Sequence, residues 1–323
     1  MIKRGYLFIL VDYSLLPPAT GYDILEDIND LWSFLTNPGL CLDFPISNNS
    51  EDCSVKVSVR VKKAEIIVAG ASAGGLCAYL SAMHCTNPMP KAVLSLYGMC
   101  GQVLSPHYLQ PKYTPFFRGR EILDPNDYLE FLYPRSRDLE VTTSSALAYY
   151  PKTHHIPGFP ANPRMLLARL YLQLGTFLDY YTGSFEPSLS VDLRGAVDDW
   201  DSEDGSELVS GQGGGRAVGD GSFERLVKKV PVLAGHLLLF PQFHVSTAEE
   251  REWPRILLVH GSEDTAVPVE DSRNMERVWK NVGACVRFLE VEGEEHSFDL
   301  AGDAEQKLGW VFEEVVEFLC QGA

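Results

Sequence analysis

The sequence predicts an α/β protein: a mostly parallel central sheet with helices on both faces, interrupted by an inserted helical cap. Short apolar runs of buried-strand type alternate with segments of helical period, the signature of parallel strands joined by covering helices. One run, Ile66-Ile67-Val68-Ala69, leads directly into Gly70-Ala71-Ser72-Ala73-Gly74-Gly75 and then into a helix-like stretch. Residues 101–163, rich in prolines and aromatics and without regular period, break the alternation, which resumes at Ile256.

Taken in order, Tyr6–Val11 reads as a buried strand, followed by the turn-rich Asp12–Gly21. A helix is expected over Tyr22–Thr36, with Ile24, Leu25, Ile28, Leu31, Trp32 and Leu35 on one face, stopped by Asn37-Pro38-Gly39. Residues 45–54 are polar loop, and Val55, Val57, Val59 and Val61 alternate with polar neighbours as in a half-exposed extended segment. The strand ending at Ala69, a helix over Gly74–His84 and a strand over Ala92–Tyr97 follow. Within the cap, one helix is expected over Pro163–Tyr181, starting on a helix-compatible proline. Residues 192–222 are acidic and glycine-rich with few apolar side chains, so they read as a disordered loop. A strand at Ile256–Val259, a helix over Val269–Asn281, a strand at Val286–Val291 and a helix over Glu305–Leu319 complete the core. The expected division is 1–100 for the first part of the core, 101–250 for cap and insertion, and 251–323 for the rest of the core.

Composition bounds the function. The chain has 323 residues and is 45% hydrophobic, enough for a large core, and its net charge of −17 disfavours nucleic acid or an anionic membrane as partner. Seven scattered cysteines with no C-x-x-C pair suggest neither a disulfide framework nor a zinc site, and fit a reducing, cytoplasmic setting. The apolar run near the N-terminus ends at Asp12 without a cleavage site, so it is not read as a signal peptide, and no stretch reaches membrane-spanning length. Asn48-Asn49-Ser50 is a glycosylation sequon that carries no weight without secretion. No cofactor or metal is expected.

A serine between small residues at a strand-to-helix turn is a nucleophile elbow. The turn is so tight that side chains two residues to either side would collide, which is the expected reason for Gly70 and Gly74. It would lift the Ser72 hydroxyl above the sheet rim and aim the Ala73 N–H, at a helix N-terminus, into the same space. A serine hydroxyl needs a base. Of eight histidines, His296 follows the last strand and has an acidic candidate between it and the serine, in the chain order nucleophile, acid, base. His154, His155, His236 and His244 fall in the cap, His84 and His107 lack strand-end context, and His260 reads as a packed strand-end residue. The acid is expected at Asp264 rather than Glu263, in the loop before Pro268. A dinucleotide or phosphate loop is disfavoured, because Gly70–Gly75 lacks both the G-x-G-x-x-G spacing and a Walker lysine.

With these residues in place, the chain resembles the hormone-sensitive-lipase branch of the α/β-hydrolases, particularly its fungal carboxylesterase-like members. The matching stretches are Val11–Pro17, Asp27–Trp32, Gly70–Gly75, Val259–Pro268, Glu292–Phe298 and, in the cap, Leu172–Tyr180. The resemblance implies hydrolysis of small carboxylic esters through an acyl-enzyme on Ser72, with His296 and Asp264 completing a triad and Ala73 in the oxyanion hole. The partner implied is a small-molecule ester, lined or covered by the cap aromatics Tyr108, Tyr113, Phe116, Phe117, Tyr128, Phe131 and Tyr133, for which cap-core packing is an equal reading. Members of the branch carry a His-Gly-Gly-Gly turn upstream of the strand matching Tyr6–Val11, and its amides form half of the oxyanion hole. This sequence starts at that strand, so the fold is expected without its first strands, and Gly213-Gly214-Gly215 lies too late to substitute. The missing strand would leave Tyr6–Val11 either paired directly with the elbow strand or separated from it by a gap. The alternative function is therefore a truncated or catalytically impaired pseudo-hydrolase acting in ligand or partner binding, since loss of one oxyanion donor costs about 10²–10³ in rate.

Overall fold

The computed structural model describes residues 5–45, 56–144, 148–151, 153, 160–203, 222–247 and 251–321. An antiparallel hairpin pairs β1 (Cys41–Pro45) with β2 (Lys56–Arg60). Of the alternating valines, Val57 and Val59 fall in β2, Val61 follows it and Val55 lies outside the described residues; β1 was not foreseen. The main sheet is parallel, in the order β3 (Ile67–Ala71), β4 (Ala92–Leu96), β5 (Arg255–Gly261) and β6 (Val286–Val291).

Successive residues of a strand point to opposite faces, and the two faces here bury separate cores. Val93, Ile256 and Leu258 face a core shared with α1 (Gly21–Leu35) and α2 (Ala73–His84), which contribute Ile24, Leu25, Ile28 and Trp32, and Leu76, Tyr79, Leu80 and Met83. Leu94, Leu257 and Val259 face the other core. The C-terminal helix covers it with Leu308, Val311, Phe318 and Leu319. Each fully buried aliphatic side chain stabilises by about 1.5–3 kcal/mol, which is why the helix period is legible in the sequence. Thr20 and Asp23 cap α1 reciprocally: Thr20 accepts from the Tyr22 N–H, and the Asp23 carboxylate accepts the Thr20 N–H.

The cap follows β4. It comprises α3 (Pro106–Leu109), α4 (Leu167–Leu174), α5 (Phe177–Thr182), α6 (Leu189–Glu203), α7 (Ser222–Lys229) and α8 (Pro241–Thr247), joined by 3₁₀ turns. Then α9 (Glu270–Asn281) joins β5 to β6, and α10 (Ala304–Cys320) closes the described chain. Among the described residues, no helix is long and apolar enough to cross a membrane.

Three expectations are corrected. Tyr6–Val11 is not a buried strand: it forms no ladder, and Phe8 and Leu10 are 68% and 84% exposed. Burial needs a neighbour as well as apolarity, and β3 is the sheet's edge, with no strand on its outer side among the described residues and with Ala69 and Ala71 exposed. Neither arrangement foreseen for these segments is observed, because Tyr6–Val11 forms no strand that could pair with β3 or stand across a gap from it. The single helix expected over Pro163–Tyr181 is split, because Gly175 turns left-handed (φ 64°) with its α-carbon so close to the Leu109 carbonyl that a Cβ would lie 2.7 Å from that oxygen. The acidic stretch from 192 begins as helix, not loop: α6 runs to Glu203, anchored by buried Leu189, Leu193 and Ala196. Residues 204–221, His154, His155 and the sequon at 48–50 lie outside the described residues.

Candidate active site

The ladder registers align the C-terminal ends of the strands. Ala71 pairs with Leu96, Leu96 with Val259, and Gly261 with Val291, so the turns after all four strands open on one rim. Ser72 occupies the turn between β3 and α2, at φ 54° and ψ −116°, a region sparsely populated for residues with a side chain. Three backbone hydrogen bonds hold it there: its N–H donates to Leu96 O (2.9 Å), and its carbonyl accepts from Gly75 N (2.9 Å) and Met99 N (3.2 Å). The next residue, Ala73, opens α2, where the first amides have no acceptor inside the helix.

The glycine roles differ from expectation in one respect. A Cβ on Gly70 would lie 1.9 Å from Gly74 O, and one on Gly75 would lie 2.4 Å from Gly98 Cα, whereas one on Gly74 would meet nothing within 4 Å. β3 therefore meets α2 where Gly70 faces the Gly74 carbonyl, while Gly75 makes room for Gly98 after β4, and the missing side chain of Gly74 relieves no contact.

Ser72, His296 and Asp264, predicted from three distant stretches, meet at this rim. His296 Nε2 lies 3.1 Å from Ser72 Oγ, and His296 Nδ1 lies 2.7 Å from Asp264 Oδ2. A carboxylate only accepts, so Nδ1 carries the proton and Nε2 presents its lone pair to the serine hydroxyl. Asp264 Oδ1 accepts the backbone N–H groups of Ala266 (2.9 Å) and Val267 (2.8 Å). Burial by itself would raise the Asp264 carboxyl, but hydrogen bonds from His260 and His296 outweigh it and hold the group well below the usual carboxylate range. Asp264 and His296 are buried, and Ser72 is half-buried.

The loops bearing Asp264 and His296 are sewn together. Glu263 N donates to Glu294 O (3.0 Å), Gly293 N to Ser262 Oγ (2.8 Å), and Thr265 donates its N–H and its hydroxyl to Glu295 Oε1. Gly261 permits this approach, since a Cβ there would stand 2.2 Å from Glu294 O. From the cap, a tight turn at Phe116–Arg120 reaches the same loops: Arg118 N donates to Thr265 Oγ1 (2.8 Å) and its guanidinium pairs with Glu295 (3.2 Å).

The arrangement has the topology of the α/β-hydrolase fold: four parallel strands, a serine at the strand-to-helix turn after the first, and the loops bearing Asp264 and His296 after the third and fourth. No family model and no curated protein matches the chain. Among solved structures it is similar to a Staphylococcus aureus protein of unknown function (15% identity over 95% of this chain and 75% of that one, TM-score 0.44). It is also similar to a Pyrobaculum calidifontis esterase (13%, 95% and 64%, TM-score 0.42) and a Pyrococcus horikoshii acylaminoacyl peptidase (12%, 80% and 24%, TM-score 0.38). The matched region thus spans about a quarter of the peptidase and under two thirds of the esterase.

Two residues at the site were given no role there from the sequence. Tyr97, left-handed at φ 39°, sets its ring edge-on to the His296 imidazole at 4.6 Å and donates its hydroxyl to Asp299 (2.6 Å). His260, read as a packed strand-end residue, is packed as expected but also touches Asp264; the signal available was its spacing of four from Asp264. The cap aromatics divide: Tyr108, Tyr128 and Phe131 are buried in the core, Phe116, Phe117 and Tyr133 pack partly against it, and Tyr113 is exposed.

Behind the site, the fully buried Asp271 accepts from the Tyr108 hydroxyl and Gly101 N (3.1 Å), and burial pushes its carboxyl up to about 7 despite those bonds. Its proton is held more tightly in the folded chain than in the unfolded one. Between the ordinary carboxylate range near pH 4 and about 7, stability therefore falls as pH rises. Buried His107 and His244, pushed down to about 3 and about 4, act in the opposite sense over part of that window, so the difference between two proteins isolates the effect. Asp271→Asn, shaped like the protonated acid, is expected to match the wild type in urea unfolding near pH 4 and to be more stable by roughly 2 kcal/mol at pH 8. An unchanged difference between pH 4 and 8 would contradict the assignment.

Proposed function

We propose that the chain is a serine hydrolase that cleaves small carboxylic esters through an acyl-enzyme on Ser72. The observation that carries this reading is the unbroken hydrogen-bond relay Asp264–His296–Ser72 on a strained elbow. In the first half-reaction Ser72 Oγ bonds to the ester carbonyl carbon while its proton passes to His296 Nε2. The tetrahedral oxyanion faces the Ala73 N–H, and collapse expels the alcohol, which takes the proton from His296. Water then repeats the sequence on the acyl-enzyme, releasing the acid and restoring Ser72. Asp264 holds the Nδ1–H tautomer and stabilises the imidazolium without taking its proton. The hormone-sensitive-lipase branch and a reducing cytoplasmic setting belong to the same proposal.

A fluorophosphonate probe followed by peptide mass spectrometry tests it. Labelling at Ser72, together with turnover of p-nitrophenyl butyrate, is the expected result, and no labelling at any concentration sinks the reading. One observation favours the second reading, a ligand-binding relative with impaired chemistry: among the described residues no strand lies on the outer side of the elbow strand, and Ala73 is the oxyanion donor assigned beside it. Labelling without turnover is the outcome that supports this alternative.

A further inference from the structure

His260 ends β5 with its ring fully buried. Its Nε2 lies 2.9 Å from Val267 O and 3.2 Å from Asp264 Oδ2, and its Nδ1 lies 2.7 Å from Ser272 Oγ on α9. A carbonyl and a carboxylate both only accept, so Nε2 carries a proton whatever charge the ring holds. Asp264 Oδ2 therefore has two imidazole nitrogens against it, His296 Nδ1 at 2.7 Å and, shared with the Val267 carbonyl, His260 Nε2 at 3.2 Å, while Oδ1 takes two backbone amides. We propose that His260 is a positioning residue for the reaction, its Nε2–H fixing the direction in which Asp264 faces His296 and limiting how much negative charge that carboxylate lends to it. The proposal rests on the esterase reading for its kinetic consequence but not for its electrostatic one.

The sign follows from what faces these groups. His296 meets Asp264, Ser72 and the Tyr97 ring, with Asp299 behind the Tyr97 hydroxyl. Its neighbour Glu295 is engaged by Thr265 and Arg118. His107 reaches Asp264 electrostatically from α3, and Asp271 on α9 stands behind His260. None of the others places a side-chain donor on Asp264 Oδ2 among the described contacts. Removing the His260 N–H thus leaves more unshared charge on Oδ2, which stabilises the protonated form of His296 and moves its titration to higher pH. A side chain that merely filled space would lower the amount of folded protein without moving that titration.

The experiment compares His260→Leu, which removes the donor, with His260→Gln, whose amide can present an N–H from a similar position. Two readouts are taken: kcat/KM for p-nitrophenyl butyrate across pH, and the His296 ring-proton titration followed by NMR. For His260→Leu, kcat/KM is expected to fall about 10–100-fold, and both the acid limb and the NMR titration to rise by about half to one pH unit. His260→Gln is expected to restore most of both. Should the leucine variant not fold, Ser272→Ala, which removes the Nδ1 partner, is expected to give a smaller shift in the same direction. A titration unmoved in folded His260→Leu, or a glutamine variant that behaves like leucine, overturns the proposal. Because the NMR titration needs no turnover, a wild type inert to ester and probe would sink the esterase reading while leaving His260 to be decided on its own.

Discussion

Ser72→Ala is expected to lower kcat for p-nitrophenyl butyrate by about 10⁴–10⁶-fold while leaving the unfolding midpoint within about 0.5 kcal/mol of wild type. The residue is half-buried and its side chain has one hydrogen-bond partner, His296 Nε2 at 3.1 Å, so little packing is lost with the hydroxyl. His296→Ala is expected to lose a similar factor, because without the imidazole the hydroxyl keeps its proton and attacks poorly. The informative variant is the double mutant. If the two groups act as one unit, removing both costs no more than removing either, whereas independent contributions would multiply. A double mutant reduced by the product of the single effects would contradict a shared proton path. A rate unchanged in Ser72→Ala would end the serine mechanism outright. The Asp264 carboxylate enters with a smaller effect, since its expected work is to hold a tautomer that the Tyr97 ring and the Val291–Glu294 turn also help to orient.

How much of this was legible beforehand depends on the range over which each signal acts. The elbow is local: a glycine-flanked serine between an apolar run and a helix carries its own steric reason, and Ser72 is found at that turn. Asp264 and His296 were singled out through chain order and strand-end position, and they converge on Ser72. The parallel strands at Ala92 and Arg255 were legible because a strand buried on both faces needs a largely apolar run, whereas the edge strand at Val286 is only partly buried and carries Arg287 and Glu290. Tyr6–Val11 shows the same local pattern with the opposite outcome, since nothing in six residues states whether a neighbouring strand exists. The Gly175 break was hidden for a related reason. Its cause is the approach of Leu109, sixty-six positions away, which leaves no periodic trace in the helix itself. His260 was placed correctly as packed and missed as a partner of Asp264, because a buried histidine shows its hydrogen bonds only in three dimensions.

Gly70→Ala is expected to be the most damaging single methyl that can be added near the site. The new Cβ would lie 1.9 Å from Gly74 O and 2.2 Å from Gly74 C, both backbone atoms of the first turn of α2, so no side-chain rotation can relieve the contact. Either β3 or α2 must move, and moving either breaks the Ser72 N–H bond to Leu96 O or the Gly75 bond to the Ser72 carbonyl that hold the strained turn. The expected cost is about 3 kcal/mol or more in urea unfolding, with loss of fluorophosphonate labelling in whatever protein remains folded. Gly74→Ala supplies the control, because the same methyl four residues on meets nothing within 4 Å and sits in a helix, where alanine is favoured over glycine by about 1 kcal/mol. It is expected to label at the wild-type rate and to unfold no earlier. Should the two variants prove equally stable and equally reactive, strand and helix do not meet through Gly70, and the backbone geometry that presents Ser72 to His296 would have to be redrawn.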